Sequence, residues 1–423
     1  MITTQILIIG SGGREHALAK QYAVSDHVSH VWVAPGNPAM IQPERDSSAA
    51  IDCVDIGIED FESLCAFVKE NEIQITFVGP EIPLNSGIVD KFRKEGLKII
   101  GPTKQASQLE ASKGFAKGIM NRAGVQTAAY QSFDPTQFQE ASRYLSEHAL
   151  PVVLKEDGLA QGKGVIIATT RAEAEQALEK LMIEQESSVI IEEFLTGKEF
   201  SYFCLVNEEH IISIGTACDY KRAFDNDEGL NTGGMGAYAP VDWVDENLID
   251  EIHTTIIQPV IQKMIEENTP FTGVLYAGLM QTEKGLYVIE FNTRFGDPET
   301  QILLPLLETD FYELTHAHLE KQDISVNHSL DYGLGVVIAA NGYPESYQTG
   351  MPIKLLDTCP VESICFSGVK REDSKQFVSD GGRILMMTAK GRSLSDCRDS
   401  VYKMIEKVSI PDTFYRRDIG LTE

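Results

Sequence analysis

The first hundred residues alternate short apolar runs with helical stretches, and glycine or Gly-Pro follows several of the runs. Gln5–Ile9, His30–Ala34, Gln74–Val78 and Lys98–Ile100 read as strands, while His16–Ser25, Ile58–Asn71 and Ile88–Glu95 carry helical periodicity. Such alternation implies a parallel, doubly wound sheet whose ligands gather at the carboxyl ends of its strands. The opening MITTQILIIGSGGREH lacks the basic n-region of a signal peptide and runs straight into a glycine turn, so it reads as the first strand.

A chain of 423 residues is too long for one ordinary core, and three or four packed units are expected. Gly101-Pro102 closes the first unit, and Ala106–Ala123 follows as a connecting helix. From about Gln126 to Glu192 the strands Pro151–Lys155 and Val165–Ala168 surround a glycine-rich turn, with a helix at Arg171–Leu181. Val189 to about Asn327 reads as a larger antiparallel sheet with flanking helices, and Gly333–Ala340 and Arg383–Ala389 give the last unit two strong strands. The expected boundaries are 1–103, then 104–125 with 190–327, then 126–189 inserted between them, then 328–423. The 36 Lys+Arg against 63 Asp+Glu leave a net charge of −27, which excludes non-specific nucleic-acid binding because that needs cations to displace counterions. No run approaches the roughly 18 apolar residues of a membrane span. Seven scattered cysteines without a C-x-x-C pair fit free thiols in a reducing cytoplasm, and His316 and His318 point to different faces of a helix rather than to a shared metal.

Gly10-Ser11-Gly12-Gly13-Arg14-Glu15-His16 joins a strand to a helix, where backbone N–H groups and the helix dipole can hold a phosphate. It lacks the third glycine of the dinucleotide fingerprint, and a plain tight turn is the competing reading. Ala34-Pro35-Gly36-Asn37 and Gly79-Pro80-Glu81 end strands of the same sheet and converge on the same crevice, which suits a phosphorylated small molecule. Lys155-Glu156-Asp157-Gly158-Leu159-Ala160-Gln161-Gly162-Lys163-Gly164 fails the P-loop pattern and joins two strands, so it reads as a flap with Lys155 at its base; a mobile hairpin with solvated lysines is the alternative. Glu192-Glu193-Phe194-Leu195 ends an apolar run beside Glu199, and Asn231-Thr232-Gly233-Gly234-Met235-Gly236 is a glycine loop preceded by Asp219-Tyr220-Lys221-Arg222. Locally these are equally an acidic hairpin and an ordinary surface loop. Strand period two in Val288–Thr300 puts Glu290, Asn292 and Arg294 on one face, with Ile289 and Phe291 on the other. A carboxylate beside an amide oxygen suits Mg²⁺, and Arg294 suits a carboxylate or a developing acyl-phosphate charge.

In this order, GSGGREHALA, VAPGNP, FVGPEIPL, GPT, LEASK, KEDGLAQGKGV, IEEFLTGKEFS, NTGGMGAYAP, LYAGLM, IEFNTRFGDPETQ and GGRIL resemble the ATP-grasp superfamily, and within it the phosphoribosylamine-glycine ligases. NTGGMGAY combined with EFNTRFGDPETQ is the specific part. The resemblance implies an α/β ATP-grasp fold with an N-terminal doubly wound parallel-sheet domain, a small mobile lid and a C-terminal α+β domain. It implies ligation of glycine to 5-phosphoribosylamine through a glycyl phosphate, with ATP as co-substrate and Mg²⁺ or Mn²⁺ as metal, in a cytoplasmic monomer that binds neither nucleic acid nor membrane.

Carried onto this chain, the resemblance assigns Lys113, Lys155, Gly158, Gly162, Lys163 and Gly164 to ATP phosphates, Glu192, Glu193, Phe194 and Leu195 to adenine, and Glu199 to the ribose. Glu290 and Asn292 would bind metal. Gly12, Gly13, Arg14, Asn37, Gly79 and Glu81 are candidates for the phosphoribosyl group; Asp219, the Asn231–Gly236 loop, Arg294 and Asp297 for glycine and its acyl phosphate. Arg294, Lys155 and Asp297 are the expected catalytic residues. Three departures stand out: Glu156 is expected to weaken the pull of Lys155, Tyr220 replaces a frequent histidine, and Thr293 is expected to point away from the site. A basic cleft on an acidic protein is the resulting picture.

Overall fold

The computed structural model of the chain describes residues 4–45, 48–158, 164–373 and 376–421. Its first sheet is parallel, in the order Ala50–Cys53, Val28–Pro35, Thr4–Gly10, Ile75–Val78 and Ile99–Ile100. Thr4–Gly10 is central, and Ile6 to Ile9 are fully buried because helices cover both faces. The edge strand Ala50–Cys53 and the helix Glu81–Ser86 are additions to the sequence reading. Pro83 lies in the first turn of that helix, where a missing N–H costs nothing, although Gly-Pro-Glu-Ile-Pro looks like loop.

Helix boundaries follow their caps. The first helix starts at Gly13, earlier than His16, because the Glu15 carboxylate folds back to accept from the Gly12 N–H at 2.7 Å. Asp60 accepts from Ser63 N–H and delays the second helix to Phe61. The expected Ala106–Ala123 helix is two: Gln108–Ala111 ends at Ser112, whose extended backbone and hydroxyl cap a new helix, Lys113–Ala123. That break sets Lys113 in the first turn of its helix.

A four-stranded antiparallel sheet, Tyr130–Phe133, Val189–Glu193, Val152–Glu156 and Val165–Ala168, forms the small module and buries its own core of Leu154, Ile191, Leu145 and Leu178. A nine-stranded sheet follows in the order Gly285–Asn292, Thr272–Thr282, Lys198–Asn207, His210–Asp219, Gly236–Ala239, Tyr332–Ala340, Arg383–Gly391 and Ile364–Phe366, with Thr413–Phe414 pairing Tyr332–Ala340. The two strong C-terminal strands therefore extend the central sheet through Gly236–Ala239 and do not make a separate one. Gly236 sits inside this sheet, where a Cβ would lie 2.6 Å from the Gly335 carbonyl oxygen.

Two contacts fix the first sheet against the central one. Phe295 stacks on Phe77 with ring centroids 6.1 Å apart, inside a core that also holds Phe203 and Phe311. Gly273, with φ +115°, lies against the backbone of Gly101, so closely that a Cβ there would be 2.8 Å from the Gly101 Cα. Gly273→Ala is expected to destabilise the protein by about 2–4 kcal/mol in urea unfolding, since both the backbone angle and the neighbouring chain resist it. An unchanged midpoint would show that the two sheets can separate freely.

His318 is buried in helix Phe311–Glu320, and burial pushes its imidazole down from 6.5 to about 4. Above pH 6.5 it is neutral in folded and unfolded chains alike. Below that, the unfolded chain takes a proton that the folded one refuses, so stability falls by about 1.4 kcal/mol per pH unit until about pH 4, roughly 3 kcal/mol in all. His318→Leu should flatten the pH dependence of Tm across this window; an equal slope in both proteins would remove the assignment.

Candidate active site

The strand Gly285–Asn292 delivers the most concentrated chemistry. Its register against Thr272–Thr282 slips between Gly278 and Leu279, so that Gly278 faces Glu290 while Leu279 faces Val288. Ile289 is left over as a bulge. Leu286, Val288 and Phe291 share one core, whereas Ile289 is outside it, which corrects the expected pairing of Ile289 with Phe291. Glu290, Asn292 and Arg294 do gather. Asn292 hydrogen-bonds Glu290, and the Arg294 guanidinium donates to Asn292 Oδ1 at 3.2 Å. Burial would raise the Glu290 carboxyl, but the positive field of Lys221, Lys155 and Lys113 overrides it and holds the group below its ordinary value.

Each of those lysines has its own anchor. Lys155 Nζ lies 2.9 Å from Glu192 Oε2 and donates to the Ile289 carbonyl at 3.4 Å. Lys113 Nζ donates to the Gly158 carbonyl at 2.9 Å, and burial pushes its ammonium down. Lys221 pairs with Glu199 and lies 3.7 Å from Asp219. Burial pushes the Asp219 carboxyl up, against the pull of Lys221. Glu156, expected to disturb Lys155, instead accepts from Ser187 Oγ at 2.7 Å. Gly162 and Lys163 lie outside the described residues; Gly164 accepts from the Glu156 N–H at 2.8 Å and closes the flap strands. Glu192 turns its carboxylate inward to Lys155, and Glu193 accepts from the Ala129 N–H at 3.0 Å. Phe194 is exposed and Leu195 half-buried beyond the paired strand.

Arg294 is the hub. It lies 2.9 Å from Glu110 Oε1 and 3.6 Å from Glu81 Oε2. The other Glu110 oxygen accepts from Thr293 N and Oγ1 at 2.8 and 3.0 Å, so Thr293, expected to be idle, orients this carboxylate. Arg14 donates to the Phe295 carbonyl at 3.0 Å and to Glu15 Oε1 at 2.6 Å. Asp297 pairs with Arg383 at 3.1 Å and accepts from Gln301 at 2.7 Å. Burial would raise its carboxyl, yet Arg383 and Arg14 hold it below the ordinary value. Arg383 also donates to the carbonyls of Gly233 and Asp297, at 2.6 and 2.7 Å, tying the glycine loop to the strand end.

Several expected ligand groups have structural partners instead. Asn37 donates its amide to the carbonyls of Ser11 and Ser367, at 2.9 and 3.1 Å. Gly79 and Gly10 make room for the Glu15 side chain, which also occupies the Gly12 N–H. Gly13 lies against Ser367 and Gln301. In the Asn231–Gly236 loop, Met235 is fully buried, Gly236 belongs to the sheet, and the Gly234 N–H donates to Thr232 Oγ1, which in turn donates to the Lys221 carbonyl; Asn231 is half-buried in a short strand. Tyr220 accepts from the Gly420 N–H at 2.9 Å and lies under Arg416, away from the lysines. The cleft is not simply basic: its cations are matched by Glu15, Glu81, Glu110, Glu192, Glu199 and Asp297.

Glu110, Lys117, Lys221 and Arg383 were missing from the expected site. Lys113 and Lys117 stand four apart on one helix, a like-charge pair that calls for a buried acid. Glu110 and Arg383 lie in the LEASK and GGRIL motifs, but nothing local marks what they do, since their partners are far away in the chain.

A lid sheet, a central sheet ending in Glu290 and Asn292, and lysines on both sides define an ATP-grasp protein. Family models for the phosphoribosylglycinamide synthetase N domain, ATP-grasp (A) domain and C domain match residues 4–110, 111–300 and 333–422. The chain belongs to the phosphoribosylglycinamide synthetase family. It is 43% identical over 421 residues to phosphoribosylamine–glycine ligase of Halalkalibacterium halodurans (98% of this chain, 96% of the relative), and 42% identical over 423 residues to that of Streptococcus suis (98% and 99%). The crystal structure of phosphoribosylamine–glycine ligase from Thermotoga maritima superposes with a TM-score of 0.83 at 30% identity, covering 98% of this chain and all of that one. Among the described residues no helix is long and apolar enough to cross a membrane.

Glu110→Gln should cost about 3 kcal/mol in urea unfolding, because it removes the charge that Arg294 leans on in a buried site. A loss below about 1 kcal/mol would show Glu81 alone suffices to hold Arg294.

Proposed function

We propose that this chain is an ATP-dependent ligase that joins the carboxylate of glycine to the amine of 5-phosphoribosylamine, giving glycinamide ribonucleotide, ADP and phosphate, the second step of de novo purine synthesis. Family membership across the three matched regions supports the substrates. The observation that carries the chemistry is Glu290, kept ionised by three lysines at a strand end and continued by Asn292 and Arg294.

In this reading the glycine carboxylate attacks the γ-phosphate, and the amine then displaces phosphate from the acyl phosphate. Neither step needs a protein nucleophile, so the work is positioning and charge stabilisation. Lys113 and Lys155 face the phosphates from the base of the flap. Arg294, shared between Glu81 and Glu110, presents a fixed cation to the carboxylate and to its acyl phosphate, while Asp297 and Arg383 hold the Gly233–Gly234 loop beside it. Glu290 and Asn292 are hard oxygen donors, and among the described residues no cluster of three His, Cys, Asp or Glu competes with them. They would hold Mg²⁺ or Mn²⁺, whose chemistry is neutralisation of the phosphate oxygens. Backbone beyond Glu193, with Phe194 and Leu195, would take the adenine, and Glu199, released from Lys221, the ribose.

ADP formation should require glycine and phosphoribosylamine together, stay insensitive to bicarbonate, and stop with EDTA. Bicarbonate-dependent turnover would reassign the chain to a carboxylating ligase. Glu290→Gln should lower kcat by at least about a thousandfold while the protein stays folded, as expected for losing a charged ligand at the transition state.

A further inference from the structure

Lys117 is as buried as the core around it, yet the proposed chemistry gives it no role. Its Nζ lies 3.1 Å from Glu192 Oε1, donates to Thr127 Oγ1 at 2.7 Å, and sits 5.3 Å from the centroid of the Tyr130 ring. Lys155 takes the other oxygen of the same carboxylate at 2.9 Å. The network closes on itself, because Thr127 Oγ1 donates to the Val288 carbonyl at 2.7 Å and Lys155 reaches the next carbonyl, that of the bulged Ile289. It thus spans the seam between the lid sheet and the central sheet.

Two ammonium groups share one carboxylate here, in a place nearly closed to water. Lys155 also stands in the field of Glu290, so Glu192 is not its sole counter-charge, and its ammonium can leave that carboxylate for an arriving anion at a smaller electrostatic cost. The two lysines are not equivalent. Lys117 is fixed by its helix, by Thr127 and by Tyr130, whereas Lys155 stands at the foot of the flap beside Lys113 and Glu290. If Lys155 turned to a phosphate with Glu192 otherwise alone, a buried carboxylate would be stranded. Lys117 removes that penalty.

We propose that Lys117 is a positioning residue for the nucleotide: by holding Glu192, it frees Lys155 to exchange that carboxylate for a phosphate oxygen. The exchange rests on the assignment of Lys155 to ATP phosphates made above, and no covalent bond is made or broken in it.

The test is Mg-ATP affinity by calorimetry, with KM for ATP and for glycine, in the full chain. Lys117→Met should weaken ATP binding and raise its KM at least about tenfold while leaving the KM for glycine unchanged, because Lys155 is then locked to Glu192. Adding Glu192→Gln should bring ATP affinity back to within about threefold of wild type, since the amide cannot hold Lys155 by charge. Lys117→Arg should retain most of the affinity. A purely structural role for Lys117 makes the double variant worse than the single one, and that result overturns the proposal. In the double variant Lys155 loses Glu192 but keeps the Ile289 carbonyl and the nearby Glu290 charge, so that variant keeps the test open even where Lys117→Met fails to fold: a folded double variant that binds ATP weakly also overturns the proposal. Lys155→Met separates the two levels. Lost ATP affinity there with an unaffected Lys117→Met removes only the role of Lys117, whereas retained affinity in Lys155→Met removes the phosphate assignment and the exchange together.

Discussion

Everything at the centre of this protein is arranged around one buried guanidinium. Arg294 is held by Glu110 from the connecting helices, by Glu81 from the helix Glu81–Ser86 of the first unit and by Asn292 from its own strand end. The residue after it, Phe295, is stacked into the aromatic core shared by the first and central sheets. Burying such a cation is costly unless the partners are in place, so the three elements must dock correctly for the charge to be tolerated. Packing and electrostatics therefore specify the same geometry.

The acidic balance of the chain extends into the cleft in an ordered way. Cations of the cleft are paired with carboxylates: Arg14 with Glu15, Lys155 with Glu192, Lys221 with Glu199, Arg383 with Asp297. On the proposed reading, a ligand phosphate replaces Glu192 as the partner of Lys155. That arrangement keeps the free protein from carrying a block of unpaired positive charge, and on the same reading it makes binding an exchange of partners and not a simple attraction.

The parts of this design that sequence could reveal are those with short-range signals. The strand–glycine–helix units of the first sheet, the lid strands and the face shared by Glu290 and Asn292 follow from periodicity and turn residues, and the structure holds them within a few residues. Glycines were harder. Gly79 looks like a phosphate loop, but its smallness serves the Glu15 side chain, and Gly236 serves sheet packing against Gly335. Thr293 and Glu110 were misjudged because their relation spans the chain and depends on how two helices break at Ser112. That the two C-terminal strands continue the central sheet has no local signal for a similar reason: only tertiary pairing joins Gly236–Ala239 to Tyr332–Ala340.

The bulge at Ile289 offers Lys155 a main-chain oxygen lying outside the regular ladder. No replacement of the side chain at position 289 can take that acceptor away. Evolution is thus free to vary the residue's identity, while a deletion there would straighten the strand and withdraw the oxygen. At this point of the fold, the length of the chain is under tighter constraint than its spelling.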